Sequence, residues 1–395
     1  MVAATVAFGG CSHASDISTT ALPALSSVPT KAHAADSHGY ETLHIFAGGG
    51  QDGAYPNGGL TYASGTLYGT TAGGGWRGDG TVYKTSTTGN VYVIYSFGAY
   101  ESYGVNPDGP VTIVNGTLYG TTESGGFGSG TVYGIDAYGY ESSVYAFYGS
   151  YGANPYDGLL LVGGMLYGTT FDGGAYGSGT VFAINPSGSG YYPMVLYSFG
   201  ASSGDGANPM ASLIYHNGKF YGTTYSGGAN NEGTVFSLTP SGTERVLHSF
   251  GSSGDGENPR GALLRLGRLF YGTTVNGGTS GDGTVYAITP SGHETVLHSF
   301  SGPPDGVGPY DQLAEFRGTL YGTSYDGGSG GCASSNGCGT IFRITPKGKE
   351  SILHSFTGNP DGAHPWAGLV VAKGGMYGTA TLGGSGVGTI FRIAH

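Results

Sequence analysis

Residues 262–300 read ALLRLGRLFYGTTVNGGTSGDGTVYAITPSGHETVLHSF. Four short runs stand out, at 262–266, 268–274, 284–289 and 294–300, and the middle ones are rich in Val, Ile, Phe, Tyr and Thr. Such residues suit a pleated surface packed on both faces. Gly267, then Asn276-Gly277-Gly278, then Pro290-Ser291-Gly292 separate the runs, and these are residues that reverse a chain. No stretch repeats its apolar positions at the helical period, which excludes a parallel α/β plan. The segment predicts four short strands in succession.

The same pattern recurs along the chain. Tyr-Gly-Thr followed by Thr, Ser or Ala begins at Tyr68, Tyr119, Tyr167, Tyr221, Tyr271, Tyr321 and Tyr377, at intervals of 48–56 residues. Gly-Thr, then Val or Ile, then Phe or Tyr begins at Gly80, Gly130, Gly179, Gly233, Gly283, Gly339 and Gly388. An apolar strand ends at Phe46, Phe97, Phe147, Phe199, Phe250, Phe300 and Phe356. Seven four-stranded units at this spacing fit propeller blades, whereas a β-helix has shorter rungs. The order of the strands adds closure. The repeats begin with a lone fourth strand, 41–46, and end on a third strand, 389–393. Pairing the two completes the last blade and removes two open sheet edges. The expected fold is therefore all-β, a seven-bladed β-propeller over 39–395 with four-stranded blades, its ring closed by the N-terminal strand.

Glycine is the compositional outlier, with 82 residues beside 18 prolines among 395. Without a period such a fraction signals low complexity, but here the glycines fall at fixed places. Only 10% of residues are charged and the net charge is −11. No Lys or Arg occurs between Lys84 and Lys219. A nucleic-acid binder needs a cationic stripe, so that class is excluded. Cys332 and Cys338 lie close together in the Gly/Ser-rich loop from Gly330 to Gly339 and are expected to form a local disulfide, as in an exported protein. Cys11 follows the short apolar run Val6-Ala7-Phe8-Gly9-Gly10, as in a lipoprotein leader with a lipidated cysteine; Ala32-His33-Ala34 offers a second cleavage pattern. Residues 1–38 thus read as export leader and tether, and no segment is long and apolar enough to be a transmembrane helix. The expected location is periplasmic, extracellular or on the outer surface of a bacterium, with a possible lipid anchor at Cys11.

Leu-Tyr-Gly-Thr-Thr, the Gly-Gly pair, Gly-Thr-Val-Phe, the Pro-Ser-Gly turn and Leu-His-Ser-Phe cover nearly everything from Glu41 to His395. This repeat resembles the GloVer tandem repeat of exported bacterial proteins held at the surface by varied anchors. The resemblance implies a propeller-like fold and export, and brings no catalytic residues with it.

Seven copies provide an internal control, since what recurs in every blade is scaffold and what departs from the repeat can form a site. His44, His248, His298 and His354 share one place in the fourth strand, where Tyr95 and Tyr197 stand in other blades, and read as packing rather than metal ligands. The Asp-Gly-x-x-Pro turns at Asp52, Asp205, Asp255, Asp305 and Asp361 offer one carboxylate each, too few for calcium. The position after that proline changes class in every blade: Asn57, Asp108, Tyr156, Met210, Arg260, Tyr310 and Trp366. Asp157 and Asp311 follow it in blades 3 and 6. The topology places this column around the mouth of the central funnel. The expected ligand site is Asp108, Tyr156, Asp157, Arg260, Tyr310, Asp311, His364 and Trp366, with no cofactor or metal. Its expected partner is a glycan or a cell-surface protein, met by a monomer. The alternative is a carbohydrate-active enzyme: a glycoside hydrolase using Asp157 and Asp311, or a polysaccharide lyase in which Arg260 binds a uronate and Tyr310 or His364 moves the proton.

Overall fold

The computed structural model describes residues 39–98, 104–186, 192–332 and 336–394. The expected leader and tether, with Cys11, lie outside the described residues. In blade 5 the strands are Leu264–Leu266, Leu269–Thr274, Thr284–Ile288 and Glu294–Ser299, each antiparallel to the next. The first strand starts later than the sequence suggests. The Leu263 carbonyl accepts a hydrogen bond from Gln312 Nε2 of the next blade (2.9 Å).

Six further sheets repeat this order from the axis outward, over 61–96, 112–146, 160–198, 214–249, 314–355 and 370–393. The last of these takes its outer strand from the other end of the chain. Glu41–Ile45 pairs antiparallel with Thr389–Ile393, Glu41 opposite Arg392 and Ile45 opposite Thr389. The ring is closed as the strand order requires. One 3-10 turn, Gly149–Tyr151, is the single helical element among the described residues, and none of them forms a helix able to cross a membrane.

Two of the sequence markers meet in one contact. The phenylalanine ending each fourth strand lies edge-on to the aromatic ring of the next blade's third strand, with centroids 5.0–5.5 Å apart at all seven junctions, from Phe46–Tyr83 to Phe356–Phe391. Edge-to-face pairs add to the area term that dominates such packing. The glycine of Tyr-Gly-Thr leaves room for that ring. A Cβ on Gly272 would stand 2.5 Å from Tyr286 Cζ. Gly283 opens the other marker at φ +95, where a Cβ would press within 2.4 Å of the Thr274 carbonyl oxygen.

Hydroxyls finish the joints. The Thr of Tyr-Gly-Thr donates to a carbonyl just before the first strand of the next blade six times over, as from Thr70 to Gly109 (3.0 Å) and Thr169 to Ala211 (3.0 Å). At the seventh junction, between blades 7 and 1, the Thr379 hydroxyl is buried without a partner among the described residues. Blade 7 also carries Ala380 where other blades have Thr or Ser, which leaves Thr389 unpartnered too. Cys332 and Cys338 are joined in a disulfide.

Candidate functional site

The recurrent polar residues resolve into clamps. His44, His248, His298 and His354 each place Nε2 3.0–3.2 Å from a carboxylate oxygen of Asp52, Asp255, Asp305 and Asp361 respectively. Tyr197 does the same work through its hydroxyl on Asp205 (2.9 Å). These aspartates also accept backbone amides of their own turns, such as Gly256 onto Asp255 (2.7 Å). The fourth strand is thereby tied to the loop that leads inward to the next blade.

The residue before the inward-leading proline holds a second clamp. Tyr55, Asn106, Asn154, Asn208, Asn258, Gly308 and His364 all adopt φ between +54 and +60. Asparagine and glycine tolerate this left-handed region best. In every blade the carbonyl of this residue accepts the amide N–H of the residue directly after Tyr-Gly-Thr-(Thr/Ser/Ala), from Ala72 onto Tyr55 (2.9 Å) to Thr381 onto His364 (3.3 Å). The four asparagines reach further and donate Nδ2 to a carbonyl of the preceding blade, as Asn154 does to Glu123 (3.1 Å).

These clamps set two variable positions side by side in each blade, always fifteen residues apart: 57 and 72, 108 and 123, 156 and 171, 210 and 225, 260 and 275, 310 and 325, 366 and 381. Their side chains surround the axis. Asp108, Glu123, Tyr156, Phe171, Tyr225, Arg260, Tyr310 and Trp366, with Asn57, Met210 and Val275, line one bowl of about 490 Å³. A throat of about 40 Å³ lies in its floor, where Asp157, Asp311, Gly59 and Pro110 join the lining. A trough of about 370 Å³ leaves the bowl between Asn57 and Trp366 over the small residues Ala72, Gly73 and Thr381.

The bowl is polarised. On one side Arg260 lies over Trp366 (3.9 Å from its centroid) and Tyr310 (4.9 Å), and Tyr325 packs against both aromatics at 5.6 and 4.8 Å. Burial lowers the Arg260 pKa, and the charges of Asp311, Asp108 and Asp157 oppose that change. A guanidinium over an indole face is a strong cation–π contact. On the other side Asp108 and Glu123 lie within hydrogen-bonding reach of each other. Asn57 Nδ2 donates to Asp108 (3.0 Å), and the Tyr156 hydroxyl donates to Glu123 (2.9 Å). Burial pushes Asp108 up to about 7, with Glu123 adding to the rise and the Asn57 amide opposing it.

The two throat aspartates are occupied by backbone. Asp157 accepts the amides of Gly158 and Ser212 (both 2.6 Å), and Asp311 those of Gln312 (2.6 Å) and Gly368 (2.7 Å). Ser212 and Gly368 lead into the following blades, so each carboxylate staples together the segments that enter two first strands. Burial, then the charge of Asp311, push Asp157 up to about 6. Burial likewise raises Asp311, against its two amides and Arg260.

A family of tandem repeats described as the Gloeobacter/Verrucomicrobia repeat matches residues 127–335, more than half of the chain. The chain belongs to this repeat family. No curated protein matches it in sequence. Among solved structures, the extracellular domain of a candidate one-component system from B. thetaiotaomicron is 11% identical with a TM-score of 0.55, over 88% of this chain and 40% of that one. A candidate 6-phosphogluconolactonase from Bacteroides fragilis is 14% identical with a TM-score of 0.52, over 81% of this chain and 88% of that one. At these identities the likeness concerns the fold alone.

In this Gloeobacter/Verrucomicrobia repeat protein the whole variable column expected at the funnel mouth lines one cavity, with Asp157 and Asp311 beneath it. His364 does not line the bowl. It fills the asparagine slot, with Nδ1 3.1 Å from the Tyr325 carbonyl and 3.0 Å from Asp326, and its ring stacks behind Tyr325 at 4.8 Å. The second column, with Glu123, Phe171, Tyr225 and Tyr325, went unread in the sequence. Its signal was present, because it directly follows the most constant tetrapeptide and still changes class from blade to blade.

Two other features compete for attention. A concavity of about 640 Å³ runs along the outer edge of blade 2, lined by Phe127, Tyr145, Tyr148 and Tyr192. It is larger than the bowl, but no charged group lines it. His248–Asp255–Glu294 and His298–Asp305–Glu350 each bring three possible ligand atoms within 4.8 Å. Three donors fall short of a closed tetrahedral site, and the His–Asp bond already engages two of them. Burial, then the neighbouring aspartate, push Glu294 and Glu350 up to about 7.

Proposed function

We propose that this protein is an exported, non-catalytic binding propeller that takes a glycan at the bowl of its funnel. One observation carries the reading. The positions that vary in an otherwise monotonous repeat converge on one cavity, while the recurrent fourth-strand histidines, turn aspartates and asparagines are clamps. A bowl of about 490 Å³ lies within the range of small-molecule and sugar sites. Aromatic walls with polar tips suit the alternating C–H and hydroxyl faces of a pyranose. The Cys332–Cys338 disulfide and membership of the repeat family support export.

The hydrogen bonding disfavours the enzymatic alternative. Each oxygen of Asp157 and Asp311 already accepts a backbone amide, which suits a staple better than an acid and a base. His364 is held by Asp326 behind Tyr325, away from the position a lyase proton carrier needs. A glycan array, followed by product analysis on every hit, tests the reading. Trp366→Ala and Tyr310→Ala are expected to weaken binding by about 1–3 kcal/mol each, as truncated aromatic anchors do. Melting is expected to stay within a few degrees of the parent protein. Turnover of a bound glycan, or binding that survives both substitutions, would overturn it.

A further inference from the structure

The charge in the bowl is unbalanced. Four carboxyl groups, Asp108, Glu123, Asp157 and Asp311, face the bowl or its throat, against the single guanidinium of Arg260. Asp157 and Asp311 are satisfied by two backbone amides each, and Arg260 stands against the aromatic wall within reach of their charge. Asp108 and Glu123 remain, the first of them also within reach of the Arg260 charge. Each accepts one neutral donor, from Asn57 and Tyr156, and among the described residues neither forms an ion pair. Two like-charged carboxyls side by side in a partly desolvated bowl are costly unless a proton or a cation lies between them.

We propose that the bowl selects a glycan unit carrying a free, protonated amine, seated against Asp108 and Glu123. The proposal rests on the glycan reading above and narrows it. A primary ammonium brings three N–H donors and no acceptor, which matches two carboxyl groups that each accept only a neutral donor. A quaternary ammonium has no N–H to offer them. Calcium asks for six to eight oxygens, more than this corner holds. Tyr156 and Phe171, 5.4 Å apart between centroids, flank the acid pair and supply a wall for the sugar ring that bears the amine.

The test uses chitotriose with all amines free and its fully N-acetylated counterpart, titrated calorimetrically into the whole protein at pH 6. The free amine form is expected to bind about tenfold tighter or better. Asp108→Asn with Glu123→Gln is expected to abolish that preference without lowering the melting temperature, since both changes remove a carboxyl from a partly desolvated wall. Equal binding of the two sugars would overturn amine selection and leave the glycan reading standing. A lysine-rich peptide that binds more tightly than either sugar would overturn it in favour of a protein partner. If neither sugar binds and a glycan array is blank, both readings fail.

Discussion

Asp311→Ala separates a staple from a reacting acid. The substitution strips the Gln312 and Gly368 amides of their acceptor, and both lie where first strands crowd the axis. A hydrogen bond to a charged acceptor contributes about 1.5–3 kcal/mol, so two losses come to about 3–6 kcal/mol. Removing a buried carboxylate recovers part of this, because burial raises its pKa. A net cost of about 2–4 kcal/mol is expected. With an unfolding entropy of about 2.1 cal/mol/K per residue, a ring of roughly 350 residues loses about 3–5 °C. Asp157→Ala is expected to behave alike. The double variant is expected to cost more than the sum of the two. Each single change relieves the repulsion felt by the surviving aspartate, and the double has no such relief left to gain. Urea unfolding of the four proteins at pH 7 measures the cycle. Single variants as stable as the parent, or a sub-additive double, would refute the staple.

The remaining expectations concern pH and closure. Glu141, Glu244, Glu294 and Glu350 are all pushed up to about 7, burial being the main cause. A carboxyl whose folded pKa is raised holds its proton in the folded state when the unfolded chain has lost it. Stability therefore falls as pH rises from the unfolded value near 4.3 through about 7. Melting scans are expected to show a higher Tm at pH 5.5 than at pH 8, with a shallower slope in Glu294→Gln; a Tm that climbs over this range contradicts the assignment. Phe46→Ala empties the edge-on contact with Tyr83 and is expected to cost about 3–5 kcal/mol, as much as Phe250→Ala at an internal junction. If Phe46→Ala unfolds like the parent while Phe250→Ala does not, the N-terminal strand is not docked in solution.

Most of the scaffold could be read from the sequence because each marker has a local steric cause. Gly272 admits a ring, Gly283 holds a left-handed turn, and the phenylalanines repeat without exception. The closure followed from strand order alone. The site was legible only in part. The column at Asn57 to Trp366 announced itself by changing class beside a constant proline, but its neighbour fifteen residues on looked like the ragged end of a strand. His364 was misplaced for a physical reason. Its side chain copies the hydrogen bond of an asparagine amide, an equivalence of shape that letters do not show. The role of Asp157 and Asp311 depended on which amides arrive from the next blade, and that is a property of the assembled ring.

The seam in blade 7 also sets a schedule for folding. Tyr40 and Leu43 emerge early, yet Phe391 and Ile390, which pack with them, come roughly 350 residues later, which at about 5–20 residues per second means a wait of roughly 20–70 s. Joining ends so far apart carries a closure entropy of about 5 kcal/mol. During that interval an unpaired apolar strand is open to chaperones or to a second nascent chain. Joining the two ends and reopening the chain at Ser301 would let every blade collect its four strands as it is made, so such a permutant should reach its native state with less aggregation than the parent order.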